Sequence, residues 1–482
     1  MSTTDKRAGK RPGRGRPHAK AGVGRQRPGS PTLPRLIAVR VLERVQRVRA
    51  YADIALHNAL ARSELAGVDR ALATELVYGT LRWRGRLDFM LGKVIDRDLE
   101  KLEPLVASTL RLGAYQLVFC DRIPDNAAVD QSVRCIRAVG AERATGLVNA
   151  ALRRLAREKD EIALPSLEAN PQAHLEHALS LPRWIAERWI AAYGASAAAE
   201  LARACNESPP LTVRANRCRT SPELLLEELC ERFPDARRCT LAPDGIRLGH
   251  AGDPGRDPAF LAGRFTVQDE ASQLVVELLG PQPGERVLDA CAAPGTKTTA
   301  IAERMGPRDS LLAIDRHARR LALVARAARR LGLDNIRTLN RDASRPLTDV
   351  LRQMNGFQFD RVLVDAPCSG LGALRRNADA RWRIRPGDPA ELATVQLAIL
   401  ERAASVLRTQ GVLVYSTCTL LPEENEQLIE RFLQRRNEFR LVSAAELPRR
   451  LQPVLDEEGF MRCLPHLHDT DGFFAARLER TR

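Results

Sequence analysis

The sequence predicts a doubly wound, Rossmann-like α/β domain in the C-terminal part of the chain, after an all-helical part and a small α+β module. From about Phe265, β-branched runs alternate with helical runs, which is typical of a parallel sheet with helices on both faces. Upstream of that point, apolar residues recur at helical spacing instead. The expected strands are Arg286–Ala290, Ser310–Asp315, Ile336–Asn340, Arg361–Asp365, Val412–Ser416 and Gly472–Leu478, the last one antiparallel at the sheet edge, with helices over 297–305, 317–331 and 389–409.

Composition places the chain among large, basic, globular proteins. Its 482 residues include 44% hydrophobic residues and carry a net charge of +15, and this length predicts about two to four domains. We expect no membrane span and no signal peptide, because no apolar run is long enough. Ten cysteines without zinc-type spacing predict no metal site and a reducing cytoplasm. Seven of them are expected to be structural, mostly buried thiols: Cys120, Cys135, Cys205, Cys218, Cys230, Cys239 and Cys463.

The N-terminal residues 1–30 are strongly basic. They hold nine Lys and Arg residues against one acid, Asp5. Abundant Gly and Pro without apolar periodicity predict a disordered tail. Such a tail is either a solubilising segment or an electrostatic tether to nucleic acid. Since the rest of the chain is also basic, we favour the tether.

Residues 31–165 predict a compact helical domain. Apolar residues such as Ile37, Val41 and Val45 fall on one helical face, and breaks near Gly67 and Pro124 separate successive segments. The pattern predicts roughly five to seven helices. Residues 166–264 then predict a linker and a small α+β module, and residues 265–482 the α/β domain.

The turn Asp289–Lys297 suits a nucleotide-like cofactor. It follows a β-branched strand and precedes a helix, its alanines and Gly295 allow close backbone approach, and Pro294 fixes the turn. The amides of the helix N-terminus would face the ligand. Neither the Walker A spacing nor the dinucleotide-binding glycine pattern is present.

An acidic residue follows each of the first four strands: Asp289, Asp315, Asp342 and Asp365. A carboxylate after the second strand can accept both ribose hydroxyls, and one after the third is placed for an adenine amino group. Each acid alone could be a helix cap. Together they predict a cofactor with ribose, adenine and a cationic centre but no phosphate, which describes S-adenosylmethionine.

Two cysteines, Cys368 and Cys418, follow the fourth and fifth strands. These strands are neighbours in a doubly wound sheet, so both thiols should face one cleft. A thiolate that adds to carbon 6 of a pyrimidine makes carbon 5 nucleophilic enough to accept a methyl group. Either cysteine could attack. Lys297 and the pair Arg375–Arg376 are candidate cations that would favour a thiolate.

The helical part resembles the NusB-like RNA-binding domain. The resemblance lies in Asp69–Leu81, Leu110–Leu117, Ala127–Asp130 and Gly146–Arg154. It implies contact with RNA. A scaffold without RNA contact would fit the same helical patterns.

The C-terminal part resembles the RNA cytosine-C5 methyltransferases, which have a class I methyltransferase fold. The motifs are Gln268–Ser272, Asp365–Gly370, Ser416–Thr419 and Leu421–Glu426. With the NusB-like domain, the chain is identified as a member of the RsmB (Sun/Fmu) branch, which modifies small-subunit ribosomal RNA. The resemblance covers about residues 33–482.

The resemblance implies a role for each site residue. Cys418 is implied as the nucleophile, Cys368 as the group that aids product release, and Asp365 as a contact to the N3 edge of the cytosine and to the cofactor. The implied substrate is 16S ribosomal RNA before full subunit assembly, methylated at cytosine 967, by a monomeric enzyme that uses S-adenosylmethionine. The implied cofactor contacts are Cys291, Ala292, Ala293, Pro294, Gly295, Thr296, Lys297, Asp315, Asp342 and Asp365.

Some positions depart from the family pattern. Thr296 stands where a second glycine is usual, and we expect cofactor binding to survive it. Asn377–Ala378 replaces the usual His-Pro, which leaves contacts with the target strand open. The basic segment 375–385, with Trp382, could grip phosphates and stack a base, or be a solvated loop.

Three alternatives remain open from the sequence. Cys368 could be the nucleophile, because Pro-Cys carries the nucleophile in the DNA cytosine enzymes. A transfer-RNA cytosine-C5 methyltransferase would share the site and differ in the N-terminal domain. A non-catalytic RNA-binding assembly or antitermination factor would keep the fold, but the intact cysteine pair and acidic series argue against it.

Overall fold

The computed structural model describes residues 31–249, 254–307 and 309–482. The predicted basic tail, residues 1–30, lies outside the described residues. Three parts follow one another: a helical domain, a small α+β module and an α/β domain.

The N-terminal domain is a helical bundle with one core, as predicted. Its first helix buries Ile37, Val41 and Val45 along one face, and these residues pack with apolar residues of the other helices in a single cluster. Fully buried Leu110 lies at the middle of the fifth helix. The helices are α1 (Leu33–Val48), α2 (Ala52–Ala61), α3 (Gly67–Arg82), α4 (Arg84–Val94), α5 (Pro104–Phe119), α6 (Asp125–Ala138) and α7 (Thr145–Glu158).

The module that follows combines short helices with an antiparallel sheet of strand order β2-β3-β1-β4. Phe265, in the last of these strands, fills the core of the module. That strand pairs with the first one, so the module sheet extends past residue 264, where the sequence placed the boundary. The elements are α8 (Pro171–Ala173), α9 (Arg183–Tyr193), α10 (Ala195–Ala204), β1 (Thr212–Ala215), α11 (Pro222–Cys230), β2 (Arg237–Arg238), β3 (Gly245–Arg247), α12 (Pro258–Leu261) and β4 (Phe265–Val267).

The C-terminal domain is a doubly wound α/β sheet, which confirms the predicted fold class. Among the described residues its strands run in the order β10-β12-β9-β8-β5-β6-β7, and β11 pairs with β12. The strands are β5 (Arg286–Asp289), β6 (Ser310–Asp315), β7 (Ile336–Asn340), β8 (Phe359–Asp365), β9 (Leu407–Thr417), β10 (Phe439–Leu441), β11 (Met461–Cys463) and β12 (Phe473–Arg480). The helices are α13 (Glu270–Leu279), α14 (Thr296–Ala302), α15 (Ala318–Leu331), α16 (Thr348–Gln353), α17 (Ala380–Arg383), α18 (Asp388–Ser405), α19 (Glu426–Arg435) and α20 (Pro465–His468).

The parallel strands place the site. β5 is parallel to β6 on one side and to β8 on the other, and β8 is parallel to β9. The strand order therefore reverses direction at β5, and ligands in such sheets bind beyond the carboxyl ends of the strands at this point. Apolar clusters cover both faces of the sheet.

Two local predictions in this domain were wrong. β9 begins at Leu407, within the predicted helix, because α18 ends at Ser405 and Leu407 already pairs with Phe359 of β8. The last strand, β12, is antiparallel as predicted and pairs with β9, but it is not the edge strand. β10 pairs with its other side.

The thiol predictions hold in part. Cys135, Cys205 and Cys463 are buried, whereas Cys218 and Cys230 are exposed. The latter two lie on the small module, beside or within short exposed elements, so they are not core thiols. Among the helices of the described ranges, none has the length and apolarity needed to cross a membrane.

Candidate active site

The predicted strand-end residues gather at one edge of the sheet. Asp289 pairs in register with Ala313, two residues before Asp315, and Asp365 pairs with Ser416, two residues before Cys418. Since the four strands that carry them are parallel neighbours, these side chains share the rim at the switch point. The geometry therefore brings the acidic series and the two thiols to one cleft edge, as the sequence predicted.

Asp289 is buried beneath the cofactor turn. Its carboxylate accepts hydrogen bonds from Thr298 Oγ1 at 2.7 Å and from the Cys291 amide at 3.4 Å. Burial raises the pKa of Asp289 to about 7. Asp289 therefore supports the turn by hydrogen bonds from within the protein. Burial also raises the pKa of Cys291, which is part of the turn and not a reactive thiol.

The next two acids fix backbone at the strand ends. Asp315 accepts hydrogen bonds from the amides of His317 at 2.7 Å and Ala293 at 3.3 Å, which links β6 to the cofactor turn. Asp342 accepts from the amide and the hydroxyl of Ser344 at 2.9 and 2.7 Å. These bonds from Ser344 lower the pKa of Asp342, so it is a carboxylate at neutral pH.

The cofactor turn is tightly packed against α15. Ala292 donates its amide to Ile314 O at 2.9 Å. Gly295 has a φ of 111°, and a Cβ built there would lie 3.0 Å from Cα of Val324. Only glycine meets both conditions without strain. Ala293, Pro294 and Thr296 complete the turn, and Thr296 begins helix α14.

Lys297 bridges the switch point. Its ammonium group lies 2.8 Å from Asp365 Oδ2, and Ser416 Oγ donates to the other carboxylate oxygen of Asp365 at 2.8 Å. The same ammonium lies 4.8 Å from the ring centre of Phe473. Asp365 is thus held from both sides, by the cofactor loop after β5 and by the end of β9.

The two predicted thiols are in contact. Cys368 Sγ and Cys418 Sγ lie 3.3 Å apart. The hydrogen bond with Cys418, burial, and the negative charge of Glu424 raise the pKa of Cys368. The contact with Cys418 and the burial therefore favour the thiol form of Cys368.

Glu424 links the two loops that carry Cys368 and Cys418, and no separate role was predicted for it from the sequence. It is fully buried. Its carboxylate accepts from the Ser369 amide at 2.9 Å and from Gln396 Nε2 at 2.9 Å, and burial raises its pKa. Tyr415 donates to the backbone oxygen of Glu424 at 2.7 Å. One side chain after β9 therefore fixes the residue next to Cys368.

Backbone contacts complete the thiol loops. The Gly372 amide donates to Cys418 O at 2.9 Å, and the Gly472 amide donates to Gly372 O at 2.8 Å. A Cβ on Gly372 would lie 2.1 Å from Gly472 O. This close approach requires glycine and holds both loops against the chain that enters β12.

The three predicted cations are committed to other carboxylates. Arg375 lies 2.9 Å from Asp469, and Arg376 pairs with Asp471 at 2.7 Å. Lys297 is bound to Asp365, as described above. None of the three is therefore a free cation reserved for a thiol. Their charges hold the loop after Cys368 and the rim of the sheet.

The centre of the basic segment 375–385 is buried between the parts of the molecule and is not a solvated loop. Arg381 is fully buried, and burial lowers its pKa to about 10. Its guanidinium donates to Asn206 Oδ1 at 2.8 Å and to Ser180 O at 3.2 Å. Trp382 Nε1 donates to Leu81 O of the helical domain at 2.7 Å. The segment joins the three parts of the molecule because these buried donors need acceptors, which only the other parts supply.

Arg214 is a second residue that was not among the predicted site residues, and it positions helix α14, which follows the cofactor turn. Arg214 of β1 is buried and donates to Thr296 O at 2.8 Å, to Thr299 Oγ1 at 3.1 Å and to Glu303 Oε1 at 2.7 Å. The small module therefore holds the N-terminus of α14. A lone arginine in a short strand carries no sequence signal of this role.

Comparison with known proteins agrees with this geometry. Three family descriptions match successive parts of the chain: the NusB family over residues 32–157, the ferredoxin-like domain of RsmF/B-like methyltransferases over residues 181–253, and 16S rRNA methyltransferase RsmB/F over residues 276–479. A probable ribosomal RNA small subunit methyltransferase B from Bacillus subtilis is 36% identical over 93% of this chain and 99% of its own length. The chain belongs to the ribosomal RNA small subunit methyltransferase B family.

Two further likenesses support membership in the small subunit methyltransferase B family. A probable methyltransferase B from Synechocystis is 37% identical over 92% of this chain and 99% of its own length. The crystal structure of PH0851 has a TM-score of 0.77 at 26% identity, and covers 93% of this chain and 99% of that one. The family resemblance predicted from the motifs is confirmed.

S-adenosylmethionine is the cofactor of this methyltransferase, and the residues at the rim fit it. The turn Cys291–Lys297 offers backbone groups at close approach, and Asp315 and Asp342 offer carboxylates for hydroxyl and amino groups. Lys297 is already neutralised by Asp365. The donor set therefore suits a nucleoside with a cationic centre rather than a phosphate.

Proposed function

We propose that the chain methylates carbon 5 of a cytosine in 16S ribosomal RNA, through a covalent bond between Cys418 and carbon 6 of the base. The observation that carries this proposal is the contact of two thiols, 3.3 Å apart, at the ends of adjacent parallel strands beside Asp365. A binding protein has no need for such a pair. Family membership supports the ribosomal substrate.

The order of the two thiols follows the family resemblance. We assign nucleophilic attack to Cys418, and the raised pKa of Cys368, which its contact with Cys418 and its burial cause, is compatible with proton donation by Cys368. The Cys418 thiolate adds to carbon 6, and the electron pair of the C5–C6 bond becomes available at carbon 5. Bound S-adenosylmethionine supplies an electrophilic methyl group to that carbon.

The remaining steps regenerate the base and the enzyme. Carbon 5 loses its proton to solvent water, and the electron pair of that bond re-forms the C5–C6 double bond. The electron pair of the C6–S bond leaves with the sulfur of Cys418. Cys368, in contact with the leaving sulfur, is placed to protonate it and free the product. Asp365, fixed by Lys297 and Ser416, would favour the N3-protonated ring, which is more electrophilic at carbon 6.

The site residues then divide between two ligands. Cys418, Cys368 and Asp365 act on the cytosine. The turn Cys291–Lys297, with Asp315 and Asp342, would hold the cofactor, and Asp365 would touch both. Free thiols at such a site require a reducing compartment, so we propose a cytoplasmic enzyme, acting as a monomer on RNA before the subunit is fully assembled.

Labelled methyl transfer tests the proposal. Full-length protein is incubated with radiolabelled S-adenosylmethionine and with 16S ribosomal RNA, assembled small subunits or transfer RNA. We expect incorporation into naked 16S RNA, and bisulfite sequencing should place it at one cytosine, position 967 by family membership. Incorporation into transfer RNA alone would reassign the substrate. No incorporation into any RNA would leave the non-catalytic binding factor as the function.

A further inference from the structure

We infer that the seam between the NusB-like helical domain and the α/β domain is a second RNA-binding site, which takes one nucleotide of the strand into a cavity and its flanking phosphates on α1. A cavity of about 450 Å³ lies at this seam. It is large enough for a nucleotide, since small-ligand pockets span about 300–1,000 Å³. This inference rests on the proposed RNA substrate.

Both domains line the cavity. The helical domain contributes the C-terminal end of α1, the start of α4 and part of α5, and the α/β domain contributes Asp379, Trp382 and Arg383. Those three residues belong to the segment 375–385, which begins seven residues after Cys368. A nucleotide bound here would therefore be held at a fixed position relative to the thiols.

The aromatic groups at the seam are already paired with guanidinium groups. Arg84 lies over the ring of Trp382 at 5.0 Å, and Arg383 lies over the ring of Tyr51 at 4.1 Å. Tyr51 is 53% exposed. Stacked arginines and exposed aromatic rings are the surfaces on which single-stranded nucleic acids place their bases. Of these groups, Arg84, Trp382 and Arg383 line the cavity, and they favour a base over a purely anionic ligand.

Charge on α1 leads to this cavity. Arg40, Arg44 and Arg47 are exposed on one side of the helix, and Arg49 follows its C-terminus at the cavity mouth. Arg47 is paired with Glu43 at 2.5 Å. Within the described ranges, Arg40, Arg44 and Arg49 form no ion pair. Unpaired surface arginines in a row are a track for phosphates.

The α1 track is distinct from the internal charges of the cavity. Arg111 is bound to Asp88 at 2.6 Å and Arg84 to Glu100 at 2.8 Å. These pairs neutralise the cavity floor, so that it accepts a base. The unpaired charges lie outside it, where phosphates on either side of that base would run.

A charge-reversal pair tests this site. In the double variant Arg44→Glu/Arg49→Glu we expect about tenfold weaker binding of a fluorescent, unstructured RNA of about 12 nucleotides. The slope of log binding constant against log salt concentration should become shallower by about 1.4, because the variant removes two phosphate contacts and each contributes about 0.7 on single-stranded RNA. The loss should appear in KM for RNA rather than in kcat.

A matched variant supplies the control. Arg137 and Arg143 are exposed, lie on the same domain outside the cavity, and also form no ion pair in the described part of the chain. The variant Arg137→Glu/Arg143→Glu makes the same change in net charge and should keep wild-type affinity and salt dependence. Equal losses in both double variants, or no loss in the first, would overturn the inference.

Tryptophan fluorescence tests the base contact separately. We expect the RNA to quench the emission of the wild-type protein and to quench Trp382→Phe much less, at matched thermal stability. Undiminished quenching in Trp382→Phe would show that the RNA base does not bind in the cavity. The RNA-affinity and fluorescence measurements omit the cofactor, so they remain readable even if the protein transfers no methyl group to cytosine.

Discussion

The rim of the sheet has two halves that are built differently. On the cofactor half, most bonds to the acids come from residues near them in sequence, as from His317 to Asp315 and from Ser344 to Asp342, and the bond from Ala293 to Asp315 spans 22 residues. On the thiol half, the bonds span the chain, as from Ser369 to Glu424. A nucleoside pocket can be built from strand-end turns, whereas a pair of reacting thiols needs two distant loops locked together.

The largest effect is expected at the nucleophile. Cys418→Ser should lower methyl transfer by at least about a thousandfold, because a hydroxyl is ionised far less than a thiol at neutral pH. Binding of S-adenosylmethionine, measured by calorimetry, should be retained, since the cofactor half does not involve this residue. Substantial turnover by Cys418→Ser would transfer the nucleophile role to Cys368.

The second thiol should produce a different defect. Cys368→Ser should form the covalent enzyme–RNA adduct but release it slowly, so that turnover falls about a hundredfold. The adduct should be visible on denaturing gels, and absent in Cys418→Ser. Wild-type turnover with no adduct in Cys368→Ser would show that release does not depend on Cys368.

Glu424 tests whether the lock between loops matters for chemistry. In Glu424→Gln, an amide NH2 group would face the Ser369 amide and Gln396 Nε2, which are hydrogen-bond donors themselves, so the link between the loops would weaken. We expect kcat to fall about tenfold with unchanged cofactor affinity. Glu423→Gln is the matched control, because the adjacent Glu423 pairs instead with Arg188 near the surface. If both variants behave alike, the lock has no specific role.

The smallest effect concerns pH and the cofactor half. Asp289 has a folded-state pKa of about 7 against 3.8 as its ordinary value. The folded protein therefore holds a proton that the unfolded chain releases, and stability falls as pH rises from about 4 to about 7. One pKa unit corresponds to about 1.4 kcal/mol. In the cofactor-free protein, Asp289→Asn should flatten the decrease in melting temperature between pH 5 and pH 8.

The control for that measurement is Asp334→Asn, at an exposed position. Asp471 is also buried with a pKa of about 7, so some pH dependence should remain in Asp289→Asn. The informative quantity is the difference between the two variants. Identical pH profiles would mean that Asp289 does not titrate in this range.

The same contrast explains what sequence reasoning could and could not reach. The strands β6 and β7 were predicted with their observed ends, and Asp315 and Asp342 were located, because strand periodicity and Asx turns are local signals. The adjacency of Cys368 and Cys418 followed from the topology of doubly wound sheets. Their 3.3 Å contact did not, since it depends on side-chain packing.

The misses have a shared cause. The segment 375–385 carries basic and aromatic residues that are typical of an exposed loop, but Arg381 and Arg375 are buried against parts of the chain more than 150 residues away. In the same way, the local pattern predicts helix at Leu407, and only its pairing with Phe359 makes it part of a strand. Long-range burial and pairing override local pattern, and one sequence without its contacts does not contain them.

The burial of Arg381 affects how the protein unfolds. Its acceptors, on Arg82, Ser180, Cys205 and Asn206, all lie upstream of the α/β domain. If the α/β domain separated from these acceptors, the guanidinium group of Arg381 would be exposed or would lose its hydrogen bonds. Segments that look modular along the chain are therefore expected to melt in one cooperative transition rather than in three.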